Sequence, residues 1–154
     1  MIKLKQLLLE AKAPSIFIPR RMEDRVERMI KDYVRNGIKG NLDLSSMKLT
    51  VLPDILKNVT VDGNFWCGHN KLTSLKNAPS IVVGSFFCGH NKLTTLAGSP
   101  SSVGRNFDCS YNVLTSLEFA PTNVGRDFDC IENPVKFTKE QVRAVCDVKG
   151  DIFV

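Results

Sequence analysis

The residue order predicts an α+β repeat solenoid: a stack of short units with a parallel β-sheet face, an N-terminal helical cap and a C-terminal helical cap. Three observations carry this. Ladders recur at a fixed spacing of 21, namely Cys67, Cys88, Cys109 and Cys130, then Phe65, Phe86, Phe107 and Phe128, then Asn70, Asn91, Asn112 and Asn133. A fixed period of this length marks a repeat architecture. Phe and Cys are separated by one residue, the alternation that sends two side chains inward from a strand and the one between them outward. The segments flanking the ladders carry helix signals instead.

The unit itself is well defined. Leu72, Leu93 and Leu114 follow the asparagines by two, Leu75, Leu96 and Leu117 by five, and Pro79, Pro100 and Pro121 by nine. Val135 takes the leucine slot in the last unit. The unit reads F-x-C-x-x-N-x-L-T-x-L, then a proline-containing return and a V-G or V-D-G step to the next Phe. A degenerate copy runs from Leu42 to Leu52, with Leu42 and Leu44 in the Phe and Cys slots and Met47 in place of the asparagine. Terminal units deviate because one face meets a cap rather than another repeat.

With leucines in the Phe and Cys slots this pattern resembles the leucine-rich-repeat signature L-x-L-x-x-N-x-L-x-x-L. The short period with an extended, proline-bearing return is similar to the bacterial short-repeat class of type III-secreted effectors of enteric pathogens. It also resembles small repeat proteins of tailed phages and large DNA viruses. The resemblance covers residues 41–137 and lacks both the paired Leu-Pro motifs and the large C-terminal ligase domain of the effector class. What it implies is a short leucine-rich-repeat stack and a non-enzymatic protein-protein interaction module. It further implies a host protein as partner and a phage or pathogen protein inhibiting a host or defence factor.

Each element has a local reason. Residues 3–12 suggest a short helix cut by Pro14. Met22, Val26, Met29, Ile30 and Tyr33 fall on one helical face, opened by Pro19 and closed by Asn36-Gly37. Residues 1–40 are therefore the expected N-terminal helical cap, and 41–137 a solenoid of about five units. In the solenoid the asparagine amide is expected to satisfy turn backbone groups of its own and the neighbouring unit. Gly63, Gly84, Gly104 and Gly125 are expected to supply the backbone freedom of the return. Thr138 with Gln141 reads as a capping box opening a helix with Val142, Val145 and Cys146 on its apolar side, the C-terminal cap over 138–154.

Charge is unevenly placed. The 154 residues carry a net charge of +5. Residues 1–40 hold 10 basic and 5 acidic side chains, residues 41–137 hold 8 and 8, and residues 138–154 hold 3 and 3. The basic helix offers an alternative function, nucleic-acid binding through Arg20, Arg21, Arg25, Arg28, Lys31 and Arg35. Glu23, Asp24 and Glu27 interrupt that patch. Leu7-Leu8-Leu9, flanked by Lys5, Glu10 and Lys12, is far short of a membrane span or a signal-peptide core, so no membrane partner and a reducing cytoplasm are expected.

Chemistry-bearing motifs are sparse. Cys67-Gly68-His69 and Cys88-Gly89-His90 supply the residue types of a Cys₂His₂ zinc site. The cysteines, however, stand in a slot filled by Leu44 in the first copy, and the histidines in one filled by Ser46, Tyr111 and Glu132. Reduced core cysteines, no metal and no cofactor are the expectation. No nucleophile elbow, phosphate loop or dinucleotide fingerprint is present, so no enzyme is expected. Function then falls on the outward columns. These are Trp66, Phe87, Asp108 and Asp129 after Asp43; Asn64, Ser85, Asn106 and Asp127; His69, His90, Tyr111 and Glu132; and Lys71, Lys92 and Val113. Aromatic residues at the centre of a patch are the usual anchors of protein interfaces. The expected partner-binding residues are Asn64, Trp66, His69, Lys71, Phe87, His90, Lys92, Asp108, Tyr111 and Asp129. The competing reading has Trp66 and Phe87 covered by the N-terminal segment of the chain itself.

Overall fold

Each repeat contributes two strands rather than one. The structure is a computed structural model that describes residues 20–154. The chain runs through α1 (Arg20–Arg35), β1 (Leu42–Asp43), a 3-10 turn (Asp54–Asn58), β2 (Thr60–Val61), β3 (Phe65–Trp66), β4 (Ile81–Val82) and β5 (Phe86–Phe87). It continues through β6 (Ser102–Val103), β7 (Phe107–Asp108), β8 (Asn123–Val124), β9 (Phe128–Asp129), α2 (Lys139–Val145), β10 (Asp147–Val148) and β11 (Ile152–Phe153). The odd-numbered strands form a six-stranded sheet A and the even-numbered strands a five-stranded sheet B, each ordered along the chain. All pairings are parallel and in repeat register, with Phe65, Phe86, Phe107 and Phe128 opposite one another in sheet A. Val61, Val82, Val103 and Val124 do the same in sheet B. The result is a leucine-rich-repeat-like solenoid whose return segment is itself a sheet.

The interior is built from the predicted columns. Phe65, Phe86, Phe107 and Phe128 are fully buried, with successive ring centroids 5.3, 5.7 and 5.2 Å apart. Cys67, Cys88, Cys109 and Cys130, the two leucine columns and the sheet B valines are buried with them in one cluster. Burying each phenylalanine stabilises the fold by about 2–3 kcal/mol.

The asparagines tie units together as expected. The Asn112 side-chain amide donates to the Cys88, Cys109 and Ser110 carbonyls at 3.0–3.1 Å, and its Oδ1 accepts the Leu93 N–H at 3.0 Å. Asn70, Asn91 and Asn133 repeat the pattern. Because each asparagine bonds two adjacent units, one side chain satisfies loop groups that would otherwise be buried and unpaired.

Two expectations need correction. Gly63, Gly84, Gly104 and Gly125 are not in the left-handed region; a Cβ there would collide with the preceding unit's backbone, for example Gly104 with the Val83 carbonyl and Gly125 with that of Gly104. Close approach, not conformational freedom, selects glycine. The solenoid also does not stop at residue 137: α2 has its capping box, Thr138 with Gln141, but the chain beyond it adds β10 to sheet B and β11 to sheet A. The physical reason is that Val148 and Ile152 continue the buried Val and Phe columns, in register with Val124 and Phe128.

At the other end α1 buries Val26, Ile30 and Tyr33 in the same core cluster. The Tyr33 hydroxyl donates to the Ile38 and Gly40 carbonyls and accepts the Asp62 N–H at 3.1 Å. The short helix expected over 3–12, and any cover that the N-terminal segment provides for Trp66 and Phe87, lie outside the described residues.

Candidate interaction face

On the outer side of sheet A, register places Asp43, Trp66, Phe87, Asp108, Asp129 and Phe153 in one column. The column divides by chemistry. Trp66 and Phe87 stack on each other, with centroids 5.9 Å apart and ring planes 6° from parallel. Both are half-buried rather than fully exposed, because each ring covers the other. The aspartates do something different: each closes its own turn. Asp43 Oδ1 accepts the Ser45 N–H at 2.8 Å, Asp108 Oδ1 the Ser110 N–H at 2.9 Å and Asp129 Oδ1 the Ile131 N–H at 3.1 Å. Trp66 and Phe87 have no acceptor to offer Gly68 and Gly89 in the equivalent turns.

Beside this column runs a second stack. His69, His90 and Tyr111 are exposed, and their rings lie nearly parallel with centroids 4.3 Å apart at both steps. They sit in the left-handed region, at φ 54, 55 and 50°, as do Ser46 and Glu132 at the same point of their units. Non-glycine residues rarely adopt that conformation. Here it bends the chain between the Cys and Asn slots and aligns side chains from successive units along the solenoid axis. Lys71 and Lys92 are exposed one column further on, next to Val113.

Asn64 is placed otherwise than expected. Its Oδ1 accepts the Ser85 N–H at 2.8 Å, in a chain of such bonds that runs from Asn41 through Asn64, Ser85, Asn106 and Asp127 to Asp151. This column is a second inter-unit ladder, and Ser85 in it is buried. The structure therefore aligns Trp66, Phe87, Asp108 and Asp129 in one column and His69, His90 and Tyr111 in another, leaves Lys71 and Lys92 exposed, and bonds the half-buried Asn64 to Ser85 of the next unit. Sequence reasoning missed Phe153, 47% exposed at the end of the aromatic and acidic column. Its signal was present: Val148-Lys149-Gly150-Asp151-Ile152 matches Val61-Asp62-Gly63-Asn64-Phe65.

Electrostatics follow the same division. The N-terminal units carry the exposed Lys71 and Lys92, and the C-terminal units carry Asp108, Asp129 and Glu132. Partial burial raises the Asp129 carboxyl pKa, and the Asp108 carboxylate raises it further against the bond from Ile131.

The cysteines point away from this chemistry. All five are buried. Burial pushes the Cys130 thiol up to about 12 and Cys146 to about 11, and raises Cys67, Cys88 and Cys109 as well. They stay protonated and unreactive at neutral pH. Cys67 and Cys88 lie in the core while His69 and His90 lie outside, so the four do not converge. Among the described residues no three His, Cys, Asp or Glu gather at ligand distance. On α1, Arg25 and Arg28 are exposed, Lys31 pairs with Glu27 at 3.0 Å and Arg35 with Asp32 at 3.3 Å. The side chains of Arg20 and Arg21 lie outside the description. No described helix is long and apolar enough to cross a membrane.

No protein-family model matches the chain, and no curated protein matches it. A leucine-rich-repeat domain of a Shigella effector is similar in structure, at a TM-score of 0.46 and 18% identity, covering 97% of this chain and 82% of that one.

Proposed function

We propose that the protein is a non-enzymatic interaction module whose sheet A outer face binds a partner protein, with Trp66 and Phe87 as the anchors. One observation carries this reading. The slot that holds them is filled in three other units by Asp43, Asp108 and Asp129, which close their own turns, so the two aromatics give up a turn bond worth about 1 kcal/mol. Among the described residues, folding gains a mutual ring contact in return. Partner binding accounts for the choice, since stacked aromatics flanked by Lys71, Lys92 and the His69-His90-Tyr111 row form an apolar centre with a polar rim. The finer reading, a host protein engaged by a phage or pathogen inhibitor in the host cytoplasm, rests on the resemblance of the repeat. In it the two helices serve as end caps.

Affinity capture from bacterial lysate with and without nuclease, run beside Trp66→Glu/Phe87→Glu, tests the proposal. It expects one stoichiometric protein that the variant loses while keeping the wild-type circular dichroism. Retention of the same protein by the folded variant rules out this face, and recovery of nucleic acid in place of protein moves the function to α1.

A further inference from the structure

We infer that the Trp66 ring face turned toward the first repeat unit is an arginine receptor, on which a guanidinium of the partner protein stacks while it pairs with Asp43. The inference rests on the reading of sheet A's outer side as the binding face, and it names the chemistry that this face takes. Register sets Asp43 across from Trp66 and Asp108 across from Phe87, so the aromatic pair is bracketed by carboxylates in its own column. The two rings lie 6° from parallel and stack along the solenoid. Phe87 therefore covers one face of Trp66, and the other face looks toward Asp43.

Asp43 does not fill the space in front of that face. The Ser45 N–H at 2.8 Å and the Ser45 hydroxyl at 2.6 Å both donate to its Oδ1 and draw the short side chain down into its own turn. The indole reaches well beyond it. Among the described residues Oδ2 has no hydrogen-bond or ion-pair partner. The second aromatic row ends at the same step, because the slot beside His69 in the first unit holds Ser46, too small to cover an imidazole. The first unit thus forms a shelf one repeat deep below two ring faces.

Electrostatics select the occupant. The face of an aromatic ring is negative, and a carboxylate beside it adds to that potential. The ion pairs of the described residues lie on α1 and at β10, so none neutralises Asp43 or Asp108. A cation on the shelf is attracted by ring and carboxylate together. Arginine suits it better than lysine: the planar guanidinium lies flat on the indole while its in-plane N–H groups reach the carboxylate at the base of the ring.

Trp66 is the one tryptophan of the chain, so its indole N–H gives a single signal in a proton–nitrogen correlation spectrum of the whole protein. Titration with the peptide acetyl-Gly-Arg-Gly-amide is expected to move that signal saturably. The citrulline peptide, neutral and of the same shape, leaves it in place, and the lysine peptide binds about threefold more weakly. Asp43→Asn keeps an acceptor for Ser45 and is expected to weaken the arginine peptide about fivefold. A signal that no peptide moves, whatever else occupies the shelf, overturns the inference. So does an equal response to the arginine and citrulline peptides, or an equal response of Asp43→Asn and the wild type. These results are distinct from those of the capture experiment: a partner lost on Trp66→Glu/Phe87→Glu without any arginine response keeps the binding face and removes the arginine receptor.

Discussion

Phe86 and Phe87 are neighbours on one strand, yet they belong to two different molecules in the energetic sense. Phe86 faces inward, fully buried between Phe65 and Phe107 in a column that holds the same residue four times. Phe87 faces outward, half-buried, in a column that reads Asp, Trp, Phe, Asp, Asp, Phe. The inner side of sheet A repeats because every unit must fill the same space at close-packed density. The outer side varies because it is not close-packed: each aspartate there closes only its own turn, so the slot accepts other side chains.

That contrast is open to direct attack. Phe86→Ala is expected to cost about 4 kcal/mol in denaturant unfolding, since it opens a cavity between two rings that cannot collapse together. A loss as small as that of an exposed site would dissolve the distinction between the faces. Asn112→Ala comes next, at about 3 kcal/mol, because the Cys88, Cys109 and Ser110 carbonyls and the Leu93 N–H all lose a partner. Phe87→Ala is expected to cost only about 1 kcal/mol, the worth of its contact with Trp66. A cost equal to that of Phe86→Ala would place Phe87 in the scaffold.

The smallest effect has the opposite sign. Asp129 has a raised pKa, so the folded state holds its proton more tightly than the unfolded chain does. Its contribution to stability falls as pH rises from the ordinary carboxylate range through the folded value, and is regained on acidification. Asp129→Asn keeps an acceptor for the Ile131 N–H and removes the repulsion from Asp108. It is expected to stabilise the protein by about 0.5 kcal/mol at neutral pH, screened by solvent, and to flatten that part of the pH–stability curve. Thermal unfolding across the acid range at low salt reads both; an unchanged slope would mean that neither burial nor Asp108 raises the Asp129 pKa.

The inward columns and the sheet A register were legible in the sequence because their period is exact in residue number: Phe65, Cys67 and Asn70 each recur unchanged, and Leu72 gives way only to Val135 in the last unit. Sheet B was not, although Val61, Val82, Val103 and Val124 are just as regular, because a two-residue strand beside glycine carries no alternation to distinguish it from a turn. The last strand escaped because α2 interrupts the period and Ile152 replaces the expected phenylalanine. The candidate face was half legible. Trp66 and Phe87 could be assigned to an outward slot by parity alone, whereas Asn64 looked equally outward and proved to bond Ser85 across units. The His69-His90-Tyr111 stack depends on a left-handed backbone at each of the three positions, which the residue pattern does not specify.

Trp66 is the one tryptophan of the chain and stands in the proposed contact. Its fluorescence, followed while the captured partner is titrated into the protein, reports on the face without any substitution. Binding through sheet A is expected to shift the emission to the blue and protect it from acrylamide quenching, in proportion to complex formed. Saturable binding that leaves Trp66 emission and quenching unchanged would contradict the assignment of this face.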